Sequence, residues 1–395
     1  IKDRLVNGSF PLFLHPYPIS DKHFIVSMSL DNKNYGIYLV DTFDNIVPIK
    51  AADQNSLVEA IPLRKTERPH AKPDVVRLGE KDATFYIQNI YAGPGLKGVP
   101  KGAVKSLKVY KYEYAPRKKG GHYAIGMEGP WDVRTVLGTV PINEDGSVIF
   151  KAPANTPIAF APLDAEGKAL QMMRSWTTAM PGEVVSCVGC HEPQSMSPVS
   201  RPALASHMPP KELTPWLGGP VRGFSFNREI QPMLDQHCVG CHTSELAKKD
   251  GRPDFEDMKK SYTALHPFIR RNGPEGDYHL LTPLEFHADT SELIQLLAKG
   301  HYNVKLDKVS QEKLITWIDM NVPLHGSWTE ATNGNKDAQH MLARRAEMRK
   351  TYAALDINPE KITQPYSERR SYQPPATTSA PAKPAETSAR WPVDP

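Results

Sequence analysis

The sequence predicts a multidomain α+β chain, and three observations carry that reading. Short runs rich in β-branched and aromatic residues, separated by Asn/Asp/Gly turns, fill residues 1–200. The apolar spacing then switches to a helical period after residue 223. From about Gln364 onward the chain is a Pro/Ser/Thr/Ala tail that cannot bury a core. The expected organisation is a β segment over 1–65, a sandwich-like β domain over 66–205, and a mainly α domain over 206–330. An extra helix within 331–363 and a disordered tail over 364–395 complete it.

The N-terminal segment offers "HFIVSMSL" and "YGIYLVDTF" as strands, joined by the turn "DNKN". Two strands and a turn form no core alone, so this segment is expected to be the end of a larger β domain that continues upstream. Ile1 rather than Met opens the chain, and any export signal is expected to lie in that upstream part. In the next domain "DATFYIQNIY", "KSLKVYKYEY", "RTVLGTVPI", "GSVIFKAP" and "PIAFAPLD" read as strands. "NEDGS" and "DAEGK" supply turns, and the regular spacing suggests a sandwich. Residues 201–222, rich in Pro, Gly and Ser, read as a linker. In "FNREIQPMLDQH", Phe226, Ile230 and Leu234 mark one helical face. "DTSELIQLLAKGH" gives a helix capped by Thr290 or Ser291, with Leu293, Leu296 and Leu297 on one side. "SQEKLITWIDMNVP" gives another, capped by Ser310, buried along Leu314, Trp317 and Ile318, and stopped by Pro323. "KDAQHMLARRAEMRKTYAAL" reads as the extra helix.

Composition excludes some functions. The chain is 39% hydrophobic and 23% charged, ordinary values for a globular protein. A net charge of +4, with no basic block longer than "RKK" at Arg117–Lys119, gives no footprint for nucleic acid. No run approaches the length of a membrane span.

All four cysteines fall in two copies of one pentapeptide, Cys-Val-Gly-Cys-His: Cys187, Cys190 and His191, then Cys238, Cys241 and His242. Two thiols at i and i+3 can form thioethers to the two vinyl groups of a haem, and the adjacent His then presents its imidazole to the iron. That reading uses every position of the motif that carries chemistry. Zinc is the alternative, but the gap from Cys190 to Cys238 far exceeds the usual spacing of about 15–20 residues, and both histidines go unused. A redox dithiol also ignores the histidines. The motifs therefore imply two covalently bound haems c. The lack of any other cysteine fits an oxidising compartment, so a periplasmic or otherwise exported protein is expected.

Each motif histidine offers one axial ligand, and the second ligand decides between electron carrier and reactive site. Helix, motif, loop, helix, short loop, helix is the layout of a small monohaem cytochrome domain. Where such a domain usually presents Met, this chain has "GHYNVKLDKVS". His301 is therefore the expected partner of His242, with His287 next and His279 and His266 behind it. For each of these last three, a hydrogen-bonded loop histidine or a partner of a haem propionate is the plainer reading. For the first motif no distal ligand is evident. His122, Tyr123 and Met127 in "GGHYAIGME" form a candidate loop, and an ordinary surface loop is the plainer reading. Met172, Met173 and Met180 read as core or haem-packing residues rather than ligands. Trp176 suits packing on the macrocycle, and Arg174 pairing with a propionate. The first haem, at His191, is therefore expected to keep an open or weakly occupied face.

The stretch "GTVPINEDGSVIFKAPANTPIAFAPLDAEGKALQMMRSWTTAMPGEVVSCVGCHEP" resembles the middle domain of the hydrazine synthase alpha subunit family. "FNREIQPMLDQHCVGCH", "GDYHLLTPLEFHADTSELIQLLAKGH" and "LITWIDMNVPLHGSW" resemble that family's C-terminal cytochrome domain. "HPYPISDKHFIVSMSLDNKNYGIYLVDTFDN" resembles the end of the β-propeller before it. The resemblance spans about residues 10–330. It implies an exported dihaem protein with other subunits or redox partners, a catalytic haem on Cys187, Cys190 and His191, and a bis-His relay haem on Cys238, Cys241 and His242. In that family a Tyr four residues beyond the first motif histidine ligates iron while the histidine turns to zinc. Ser195 stands at that position here, so that ligand does not carry over. Two functions follow as alternatives: redox chemistry on a small, possibly nitrogenous, compound at the first haem with relay through the second, or a dihaem electron-transfer or docking protein with no substrate of its own.

Overall fold

The computed structural model describes residues 10–71, 73–191, 201–274, 276 and 279–361. The expected tail over 364–395 and Ser195 lie outside them. The chain divides between Pro73 and Asp74 into two compact units.

The first unit is a four-stranded antiparallel meander of β1 (Leu12–Pro18), β2 (His23–Ser29), β3 (Gly36–Asp41) and β4 (Ile46–Lys50), in that order across the sheet. The sequence reading found the two central strands and missed both edges. β1 and β4 carry prolines, which a strand tolerates only where the lost N–H is not needed, and each pairs with a register shift. Asp31 closes the β2–β3 turn by accepting the backbone N–H groups of Lys33 and Asn34 at 2.9 and 3.0 Å.

The second unit opens with the sandwich that the sequence predicts. One sheet holds β5 (Asp82–Ile87), β8 (Val148–Pro153) and β10 (Val184–Cys187). The other holds β6 (Ser106–Glu113), β7 (Val133–Pro141), β9 (Ile158–Leu163) and β11 (Thr214–Pro215). The facing sheets share Phe85, Phe150 and Phe160, with ring centroids 5.6–5.8 Å apart. β10 was not expected. It is a four-residue strand lying parallel to β5, and it ends on Cys187, so the first motif starts at a strand end rather than wholly in a loop.

A helical layer follows: α1 (Phe226–Glu229), α2 (Gln231–His237), α3 (Ser244–Asp250), α4 (Met258–Leu265), α5 (Glu292–Lys299), α6 (Lys308–Asp319), α7 (Trp328–Ala331) and α8 (Lys336–Ala353). Phe226, Ile230, Leu234, Leu314, Trp317 and Ile318 are buried in one core, as their spacing predicts. Three local expectations are corrected. Asp307, not Ser310, caps α6, accepting the N–H groups of Val309 and Ser310 at 2.9 and 3.0 Å. Ser291 sits at the N-cap position of α5, but its hydroxyl accepts from the Arg270 N–H instead. Residues 201–222 are no free linker: Lys211 exchanges backbone hydrogen bonds with Ile149 and Lys151, and Trp216 is only 6% exposed.

The helical layer covers the outer face of the β6 sheet. Lys108 on β6 is 0% exposed, and its Nζ reaches Glu312 Oε1 at 2.9 Å and Thr316 Oγ1 at 2.7 Å on α6. One turn on, Asp319 is 2% exposed and accepts the Ala169 N–H through Oδ2 at 3.1 Å, while Oδ1 has no partner. Burial raises its pKa from 3.8 to about 7, against the opposing pull of Lys108. The folded protein therefore holds a proton that the unfolded chain has lost between about pH 4 and about pH 7, so this group's contribution to stability falls as pH rises through that window. Asp319→Asn is expected to flatten the decline by on the order of a few kcal/mol. Urea denaturation of both proteins at about pH 5 and about pH 8 measures it; equal declines would exclude the assignment.

Candidate functional site

The first motif is clamped by backbone. The carbonyls of Cys187, Val188 and Cys190 accept the N–H groups of Gln88, Asn89 and Gly95 at 2.9, 3.0 and 3.0 Å. Two glycines permit this closeness. A Cβ on Gly189 would lie 2.3 Å from the Ala92 carbonyl oxygen, and one on Gly95 would lie 2.5 Å from Cys190 Sγ. His191 follows with φ of 61°, is exposed, and among the described residues no hydrogen bond fixes its ring.

Cys187, Cys190 and His191 border a cavity of about 980 Å³. Met172, Met173, Arg174 and Trp176 line it, as do Trp131, Asp132, Arg134 and Tyr112. Asn272, His279 and Asn321 bring the helical part to its wall. Trp176 packs its ring on Tyr114 and Tyr112, with centroids 5.2 and 6.2 Å away. Arg174 donates through Nη2 to the His279 carbonyl. Asp132 accepts the Ala115 N–H at 2.8 Å, and burial pushes its pKa up. Met180 is exposed and does not line the cavity. Nor do His122, Tyr123 and Met127: His122 packs edge-on against Trp131 at 4.7 Å, Tyr123 is exposed, and Met127 joins the helical core.

The second motif starts at the C-terminal end of α2. His242 Nδ1 lies 3.0 Å from the Pro253 carbonyl oxygen. A carbonyl can only accept, so Nδ1 carries the proton and Nε2 keeps its lone pair. Phe255 packs against the ring at 4.6 Å. His301, just past the left-handed Gly300 that ends α5, brings its imidazole centroid to 6.0 Å from that of His242, at 30° between planes. With metal–nitrogen bonds of about 2.0–2.1 Å, that separation suits two imidazoles sharing one metal. Burial lowers the pKa of both rings, favouring the neutral form that ligation requires. Burial also pushes the Cys238 thiol up to about 12, which suits a thiol consumed in a thioether better than a thiolate ligand.

His287 and His266 are engaged elsewhere, and His279 lines the first cavity instead. His287 Nε2 meets Asp164 Oδ2 at 2.8 Å, and its Nδ1 accepts the Asp289 N–H at 3.3 Å. His266 is buried against Tyr262, its Nδ1 donating to the Tyr262 carbonyl at 2.7 Å. Among the described residues no three His, Cys, Asp or Glu side chains are grouped to hold a metal ion, so the two CxxC pairs do not assemble a four-thiolate zinc site. Sequence reasoning missed Pro253, Phe255, Gly95 and Arg134. Of these only Arg134, a lone charge inside an apolar strand run, left a visible signal.

Fold and sites together define a multidomain α+β protein that carries one CxxCH motif on a sandwich rim and another in a helical layer. Residues 102–192 match the family model of the hydrazine synthase alpha subunit middle domain. A chain of Kuenenia stuttgartiensis hydrazine synthase shares the fold, with a TM-score of 0.50 at 17% identity over 80% of this chain. The match covers 55% of that longer chain. No curated protein matches the sequence. Among the described residues no helix is long and apolar enough to cross a membrane.

The tight approach at Gly189 is testable. Gly189→Ala is expected to cost about 1–3 kcal/mol through overpacking against residues 89 and 92. Gly79→Ala, with nothing within 4 Å of its added carbon, serves as the control and leaves the midpoint of chemical denaturation in place.

Proposed function

We propose that the chain is an exported dihaem c-type redox protein of the hydrazine synthase alpha type. One haem is tethered by Cys187 and Cys190 with His191 beside it, the other by Cys238 and Cys241 between His242 and His301. The observation that carries this reading is the facing pair of neutral imidazoles beside the second motif, one of them held by a backbone carbonyl in the tautomer that frees Nε2. Two strong nitrogen ligands close an iron to exogenous molecules, so this site serves electron relay.

The first site supports a different role. Its cavity is at the upper end of the size of small-molecule and cofactor sites and has apolar walls with a few polar groups. Ser195 stands at the position of the family's iron-ligating Tyr and does not supply that ligand, which leaves His191 itself to ligate iron. Met172, Met173, Trp131 and Trp176 would pack the macrocycle and exclude water, while Asp132, its pKa raised by burial, adds a carboxyl group to the cavity wall. The bound group supplies one-electron chemistry at a small molecule, here a nitrogen compound by family likeness, and the second site passes the electrons on to a partner subunit or redox protein.

Intact mass of the exported, mature protein tests the foundation: two porphyrin increments are expected, and one in Cys187→Ala/Cys190→Ala. After reduction, CO is expected to bind the first haem of the unaltered protein and not the second. His301→Ala opens the second to CO. A product without porphyrin ends the proposal, and a CO-inert first haem leaves only electron transfer.

A further inference from the structure

We infer that Arg134 is the anion-holding residue of the first cavity and that its partner is a propionate of the haem tethered at Cys187 and Cys190. This inference rests on the haem reading above. Arg134 lies on β7, is 7% exposed, and lines the cavity. Its guanidinium stacks over the Tyr112 ring at 4.9 Å, and its Nε has no hydrogen-bond partner. Among the described residues no carboxylate pairs with it. Asp132, the acid that it influences through space, spends a carboxylate oxygen on the Ala115 N–H.

The other buried arginines of this unit are treated differently. Arg222 reaches both oxygens of Glu229, Arg228 reaches both oxygens of Glu330, and Arg345 donates to the carbonyls of Tyr114 and Ala115. Arg174, the propionate candidate in the sequence, already donates to the His279 carbonyl. A buried guanidinium with no carboxylate in ion-pair contact is costly, and this one, its Nε unpartnered and Tyr112 and a more distant Asp132 its neighbours, borders a cavity. The geometry therefore calls for an anion inside that cavity.

The topology says which anion. The tethering cysteines come from β10 and the loop after it, in the sheet with β5 and β8. Arg134 comes from the other sheet of the sandwich. In a haem c the propionates leave from the edge opposite the tethered vinyls. A macrocycle anchored on one sheet thus directs its carboxylates away from that anchor, and Arg134 is the unpaired cation on the wall built by the other sheet. Its fork of donors matches a carboxylate bidentately. Arg134 is in this sense a positioning residue: it orients the macrocycle and places a positive charge beside it.

The test is a spectroelectrochemical titration of the full dihaem protein and its Arg134→Gln and Arg134→Lys variants, with porphyrin content fixed by intact mass. Loss of the cation disfavours the added electron, so in Arg134→Gln the reduced-to-oxidised ratio of the first haem at a fixed potential is expected to fall about tenfold or more. The second haem stays unchanged, and Arg134→Lys recovers much of the shift. A merely structural role lowers the unfolding temperature of both variants and leaves the potential alone. Should Arg134→Gln not accumulate, the propionate bending band in the resonance Raman spectrum of the unaltered protein reads the same contact, and a band at the free-carboxylate position overturns the inference. An unshifted first-haem potential with both porphyrins present also overturns it, as does loss of saturable nitrite or formate binding without that shift, which would assign Arg134 to a free anion. Absence of porphyrin at Cys187 and Cys190 instead removes the haem reading beneath it.

Discussion

The second unit depends on one constraint: β6 is buried on both faces. Leu107 and Val109 face the aromatic core of the sandwich, while Lys108 and Tyr110 point the other way into the helical layer. An ammonium with no access to water has to be neutralised and solvated, and from one face of α6 Glu312 supplies the charge and the Thr316 hydroxyl accepts a second hydrogen bond. Glu312 also accepts the Trp216 indole N–H at 3.0 Å, so the segment that leads into the helices is pinned to the same carboxylate. Sheet, connection and helix are thereby fixed together. The cavity at the first motif requires this arrangement, because residues of both sheets and of the helical part form its walls.

The joint is polar where an apolar contact would have sufficed. Asp319 and Tyr110 each keep one side-chain oxygen buried and unpaired near Lys108. Asp319 also ends a helix, where the dipole disfavours negative charge, and this adds to the burial that keeps its proton on. Such a joint gains register rather than raw stability: sliding α6 by one turn would leave Lys108 without a counter-charge. The price is a stability that depends on pH.

The legible parts of the sequence were those decided by pattern. The strands β5 to β9 announce themselves through turns and apolar runs, and the α6 stripe through its spacing. What failed was decided by competition between residues. Asp307 and Ser310 are both good caps, and the carboxylate three positions earlier wins because it satisfies two N–H groups at once. Ser291 is a cap by position whose hydroxyl is claimed by Arg270, a partner distant in sequence. β10 is four residues long and pairs parallel with β5 a hundred positions away, so no local alternation betrays it. At the sites, the bringing together of His242 and His301 followed from the order of helix, loop and glycine. The Pro253 carbonyl that orients His242 and the bare guanidinium of Arg134 are tertiary facts with no local signature.

Two identical pentapeptides therefore come to different ends, and the difference lies outside them. After α2 the motif keeps helical hydrogen bonding, His242 turning its N–H back to Val239 and offering Nδ1 to the next loop. After β10 the motif is drawn against residues 88–95 by its carbonyls, and His191 emerges in a left-handed conformation with its ring unheld. The His242 ring is oriented by the Pro253 carbonyl and has the His301 imidazole 6.0 Å away, centroid to centroid. His191 instead stands exposed beside the large cavity, with no hydrogen bond to its ring among the described residues. The backbone that enters each motif, strand or helix, thus gives the two histidines different settings from the same five residues.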